Sequence, residues 1–128
     1  MSHFSITKLK IKIKNEAILK RSIEEIAKRT NGEIVTTITD YYGNLKTDFI
    51  IAFRNPEFQR GVGVRINNGE LELIGDFWGV SKENIEELKK NIAQTYTKNA
   101  TIQALKQMNY NVNISETKNK IHITAWRI

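Results

Sequence analysis

The sequence predicts an α+β fold: a mostly antiparallel sheet with two main helices packed on one face, in the order β-α-β-β-β-β-α-β-β. Three observations carry this prediction. Short runs alternate apolar and polar residues at period two, two longer runs repeat apolar residues at helical spacing, and Gly43-Asn44 and Asn68-Gly69 sit between successive strand runs as hairpin turns.

Residues 4 to 14 form the first strand, with Leu9, Ile11 and Ile13 on one face and Lys8, Lys10, Lys12 and Lys14 in a row on the other. Asn15 is placed to cap a helix whose inner stripe is Leu19, Ile23, Ile26 and Ala27, and Asn31-Gly32 ends it. Glu24 with Lys28 and Glu25 with Arg29 are expected i,i+4 pairs on its wet face. A hairpin follows, joining residues 33 to 41 with 45 to 53, and Leu45, Thr47, Phe49, Ile51 and Phe53 form the core face of its second limb. Past the only proline, Pro56, a second hairpin runs from Val62, Val64 and Ile66 through Asn68-Gly69 to Leu71 and Leu73. Ser81 caps the second helix, with Ile85, Leu88, Ile92, Tyr96, Ala100, Ala104 and Met108 spaced along it. Unbroken to Asn109 it would span about 29 residues, or ~43 Å, so a kink or break is expected near Thr97-Lys98-Asn99. The chain closes with a hairpin of Val112 and Ile114, a turn at Lys118-Asn119, then Ile121, Ile123 and Ala125.

At 128 residues, with no linker, repeat or low-complexity tract, the chain is expected to form one domain over residues 1–128. No apolar run approaches the ~20 residues of a bilayer-spanning helix, so no membrane span is expected. The opening residues Met1-Ser2-His3-Phe4-Ser5 carry neither a secretory signal nor a transit-peptide pattern, and a protein of an organelle with such a start is expected to be made there. Zero cysteines exclude disulfides, thiolate metal sites and a cysteine nucleophile. A net charge of +6 invites a nucleic-acid reading. The chain holds 19 Ile, 14 Lys and 13 Asn against 6 Arg, however, and an AT-rich coding sequence raises those three residue types without any polyanionic partner.

No motif carries catalysis, and no cofactor or metal is expected. His3 and His122 lack an oriented carboxylate or a second ligand at useful spacing. Gly61-Val62-Gly63 lacks the third glycine and the following helix of a phosphate cradle and reads as a strand start or bulge. Asp40, Asp48 and Asp76 lie far apart in sequence. The lysine row can follow a phosphate backbone or protect an edge strand from aggregation. Aromatics gather at Tyr41 and Tyr42, at Phe77 and Trp78, at Tyr96 and at Trp126, and Trp126 shares its strand face with His122 and Thr124 rather than with the isoleucines.

Asp76 and Trp78 ahead of the second helix, Gln94 and Tyr96 within it, and Met108-Asn109-Tyr110-Asn111-Val112 at its end carry a resemblance, as do the first five residues and Trp126. Together they resemble the hypothetical chloroplast reading frame 35 family of red-algal plastids and cyanobacteria. Asn109 stands where relatives tend to have Gly, and Asn also tolerates the left-handed conformation that ends a helix. The resemblance implies synthesis and residence in the plastid stroma, in keeping with the missing transit peptide. It implies no activity, because the family is a domain of unknown function.

Three readings follow. The first is a non-enzymatic plastid accessory protein that binds another plastid protein through Trp78, Tyr96 and Trp126. A nucleic-acid-binding module using Lys8, Lys10, Lys12 and Lys14 is the second. The third is a small-molecule enzyme using His3 or His122.

Overall fold

The computed structural model describes residues 3–117 and 120–127. Its elements run β1 (Ser5–Lys12), α1 (Glu16–Arg29), β2 (Glu33–Val35), β3 (Ile38–Thr39), β4 (Leu45–Lys46), β5 (Ile51–Arg54), β6 (Val62–Asn67), β7 (Glu70–Gly75), α2 (Lys82–Gln107), β8 (Tyr110–Thr117) and β9 (Lys120–Arg127). The expected order holds, with each limb of the first hairpin divided into two short strands. The turn expected at Lys118-Asn119 lies outside the described residues.

Five strands make an antiparallel sheet in the order β1-β7-β6-β5-β2, while β3 with β4 and β8 with β9 form separate two-stranded ribbons. Alternation in β6 and β7 points Val62, Val64, Leu71 and Leu73 to one face, where they meet Leu19, Ile23 and Ile26 of α1 and Leu88 and Ile92 of α2. The opposite face has a smaller cluster of Ile38, Ala52 and Ile74, flanked by Phe4, Val35 and Phe49. Gly61 and Gly63 exist for this second layer: a Cβ on Gly63 would stand 2.8 Å from Ile74 and Phe49, and one on Gly61 would stand 2.7 Å from Ile38. Gly63 is a packing glycine, and Gly61 stands at the start of β6 with a φ of +93°, as a strand-start glycine does.

Both helix starts follow the sequence: Asn15 accepts from the Ile18 N–H at 3.0 Å and Ser81 from the Asn84 N–H at 3.1 Å. The break expected near Thr97-Lys98-Asn99 does not occur, and α2 runs unbroken for 26 residues. The polar run faces α1 and β8 instead of ending the helix. Lys98 Nζ reaches Glu25 at 2.7 Å and Glu116 at 3.0 Å, and the Asn99 amide donates to Ser22 at 3.0 Å. Burial disfavours the charge on Lys98, yet its hydrogen bonds to Glu25 and Glu116 outweigh that and raise its pKa. Of the helical pairs expected on α1, Glu25 with Arg29 forms at 3.3 Å.

The expected core face of residues 45 to 53 also needs correction. Ile51 and Phe53 are buried, but Leu45 is 67% exposed and Thr47 is exposed as well. A tight turn in which the Phe49 N–H donates to the Thr47 carbonyl breaks the alternation, and Ile50 then joins β6 through Val64. One limb thus serves two layers.

Candidate functional site

Three connections converge at one end of the main sheet: the turn after β3, the loop between β5 and β6, and the turn between β7 and α2. Asp40 closes the first, its carboxylate accepting from the Tyr42 and Asn44 N–H groups at 2.9 Å and the Asn44 side chain at 2.8 Å. The side-chain hydrogen bond from Asn44 is the main cause holding the Asp40 pKa below its ordinary value. Gly43 supplies the positive φ, +83°, that the turn requires. Asn55 organises the second connection by accepting from the Glu57 and Phe58 N–H groups and donating to Thr30 at the end of α1.

Asp76 ties the three together. Its side chain is fully buried, and it accepts from the Tyr41 N–H at 2.8 Å and the Trp78 N–H at 3.1 Å while pairing with Arg60 at 3.4 Å. Arg60 donates in addition to the Trp78 carbonyl at 3.2 Å, and its own carbonyl accepts from the Thr39 N–H. A buried carboxylate with several donors is a stable anchor only when each oxygen is satisfied, which is the arrangement observed.

What this anchor presents is apolar and exposed. Tyr41, Tyr42 and Trp78 are 59%, 66% and 57% accessible. Tyr41 meets Tyr42 edge to face at 5.3 Å and Trp78 at 5.9 Å, and the Arg60 guanidinium lies 5.2 Å from the Tyr41 ring and 5.9 Å from that of Trp78. Beside it opens a cleft of about 350 Å³ in which Glu57 and Asp76 stand with Arg60. Backbone bonds therefore fix the turn carrying the two tyrosines before any ligand arrives.

The residues singled out from sequence do not come together. Trp78 belongs to this cluster. Tyr96 lies in the core, 6% exposed, with its hydroxyl accepting from the Lys14 and Asn15 N–H groups at 3.1 and 3.3 Å, so it ties α2 to the end of β1. Trp126 is exposed on β9, across from Asn111 of β8. Arg60 carried no sequence signal, because its partners are 16 to 21 residues away along the chain in either direction. Tyr41 and Tyr42 did carry one, a pair of large aromatics in a Gly-containing turn.

The lysine row keeps one face: Lys8, Lys10, Lys12 and Lys14 are exposed, while Leu9 and Ile13 are buried and Ile11 is half-buried. The pairing of β1 with β7 shifts register between Leu9 and Lys12, and Lys8 sits 3.8 Å from Glu72. Glu72 is itself buried among donors: the Asn67 side chain is the leading cause that lowers its pKa, and Arg65 adds to it from 3.1 Å. His122 is exposed with Ser115 opposite on β8, and His3 is exposed near the start. Among the described residues, no group of three His, Asp or Glu side chains stands at metal-binding spacing, and no helix is long and apolar enough to cross a membrane.

A family profile described as a protein of unknown function, DUF1257, matches residues 22–124. The chain belongs to that family. The match takes in α1 from Ser22 onward, the ribbon of β3 and β4, and the ribbon of β8 and β9 as far as Thr124, including Tyr41, Tyr42, Arg60, Asp76 and Trp78. No curated protein and no solved structure matches the chain.

Proposed function

We propose that this DUF1257 chain is a non-enzymatic accessory protein that docks a partner protein on Tyr41, Tyr42, Trp78 and Arg60. The observation carrying this reading is three exposed aromatic rings and an arginine held in place from beneath by a buried carboxylate. Trp, Tyr and Arg are the residue types that dominate protein interfaces, and a surface ordered in advance loses little entropy on binding. Arg60 directs Nη1 to Asp76 and Trp78, and a guanidinium carries five N–H donors in all, a geometry suited to a backbone carbonyl or a carboxylate of the partner. The exposed Glu57 in the adjoining cleft favours such a protein segment over a polyanion.

We further propose the plastid stroma as its address. The resemblance to the chloroplast reading frame family supports this, and so does the excess of Ile, Lys and Asn. The test is capture from plastid extract with tagged wild-type protein and the Trp78→Ala variant, each with and without nuclease. The expected result is a nuclease-resistant protein partner whose capture weakens about thirtyfold in the variant, the size of a hot-spot loss of about 2 kcal/mol. Capture that disappears with nuclease, or that is equal in both proteins, overturns the reading.

A further inference from the structure

The ribbon of β8 and β9 ends the described chain with an edge left open. Each of its strands has a single neighbour among the described residues, and a two-stranded ribbon alone is only marginally stable in water. Both edges of the main sheet are protected. Lys8, Lys10 and Lys12 stand along β1, and β2 is three residues long and begins with Glu33. Between Lys120 and Arg127, by contrast, β9 has six residues with no charge, proline or glycine. Such a segment on a free edge is a template for another strand.

Space beside that edge is also unfilled. A groove of about 360 Å³ lies between Ile121 and Ile123 of β9 and α2, where Ala93, Thr97 and Thr101 follow one another at four-residue spacing. These small side chains let a second helix approach closely.

We propose that β9 pairs antiparallel with β9 of a second copy of this chain, in register about Ile123. The pattern of β9 is its own complement in this register. Ile123 meets its counterpart and Ile121 meets Ala125 on the helix-facing side, while His122 meets Thr124 and Lys120 meets the ring of Trp126 on the other. A shift of one residue would set helix-facing side chains against outward ones, so the pattern excludes it. The two-fold axis stands perpendicular to the ribbon, and both copies of α2 therefore lie beneath one continuous four-stranded sheet with their Ala93-Thr97-Thr101 ridges facing across the groove. Trp126, exposed in the single chain, gains a partner.

The natural chain has no cysteine, so a directed disulfide tests the register. Lys120→Cys and Trp126→Cys in one chain lie about 20 Å apart along β9 and cannot bridge internally, whereas in the paired strands position 120 of one copy faces position 126 of the other at roughly 5 Å between Cβ atoms. Both positions are exposed, and circular dichroism checks that the double variant keeps the wild-type fold. The expected results are wild-type sedimentation at twice 14.8 kDa at micromolar concentration and a covalent dimer of the double variant on mild oxidation, with neither single variant bridging alone. Wild-type protein that sediments as a monomer throughout overturns the proposal. A dimer whose double variant stays unbridged does so equally, because the copies then meet elsewhere.

Discussion

The main sheet with α1 and the ribbon of β8 and β9 differ in how completely each encloses its own apolar surface. In the first, Leu19, Ile23, Ile26, Phe53, Val62, Val64, Leu71 and Leu73 are wholly out of water, and every buried hydrophobic residue described falls between Leu9 and Tyr96. In the second, Ile114 is 41% exposed and Trp126 49%, and Ile121 and Ile123 are only half-buried. The strands of the ribbon are as long as β1, so strand length is not the difference. Two layers cover the main sheet, whereas one helix covers one face of the ribbon. Burial, rather than hydrogen-bonded length, decides where stability resides.

The largest expected effect comes from cutting into the enclosed region. Phe53→Ala should cost about 3 to 5 kcal/mol in urea-induced unfolding, while Ile114→Ala, in the ribbon, should cost less than about 1 kcal/mol. Equal costs would erase the distinction between the regions. Tyr96→Phe comes next: two backbone N–H groups at the start of α1 lose their acceptor, and a loss of roughly 1 to 2 kcal/mol is expected by the same measurement.

The smallest effect concerns acid. Asp40 is held below its ordinary pKa chiefly by the Asn44 side chain, and Glu72 chiefly by that of Asn67. In each case the unfolded chain binds the proton more readily than the folded one. Their contribution is therefore complete above the ordinary carboxylate range, about pH 4, and is lost as pH falls through the lower folded values. Stability followed by urea melts should decline below about pH 4, with a shallower decline in Asp40→Asn. An unchanged slope in that variant would remove Asp40 from the account.

Much of the fold was legible because it is written locally. Asn15 and Ser81 cap the helices they precede, Asn68-Gly69 makes its turn, and the alternation through Val62, Val64, Leu71 and Leu73 marks the buried face. What escaped depends on residues distant in sequence. Thr97-Lys98-Asn99 reads as a break until Glu25, Ser22 and Glu116 are brought alongside to satisfy it. Leu45 and Thr47 read as core because the turn at Phe49, which re-aims the limb, has no glycine or proline to announce it. The candidate site was half legible. Its aromatics are conspicuous in the sequence, but the Asp76 and Arg60 that unite them belong to separate connections, and the helical spacing that sets Tyr96 in line with Leu88 and Ile92 does not reveal that its hydroxyl holds the Lys14 and Asn15 N–H groups.

Hydrogen exchange of backbone amides across a dilution series tests the contrast between the two regions most directly. Amides of β5, β6 and β7 should exchange slowly at every concentration, whereas those of β8 and β9 should exchange fast in dilute protein and slow as concentration rises and a second copy closes the open edge. Ribbon amides as protected as those of the main sheet at the lowest concentration would contradict the account, since the ribbon would then be complete within a single chain.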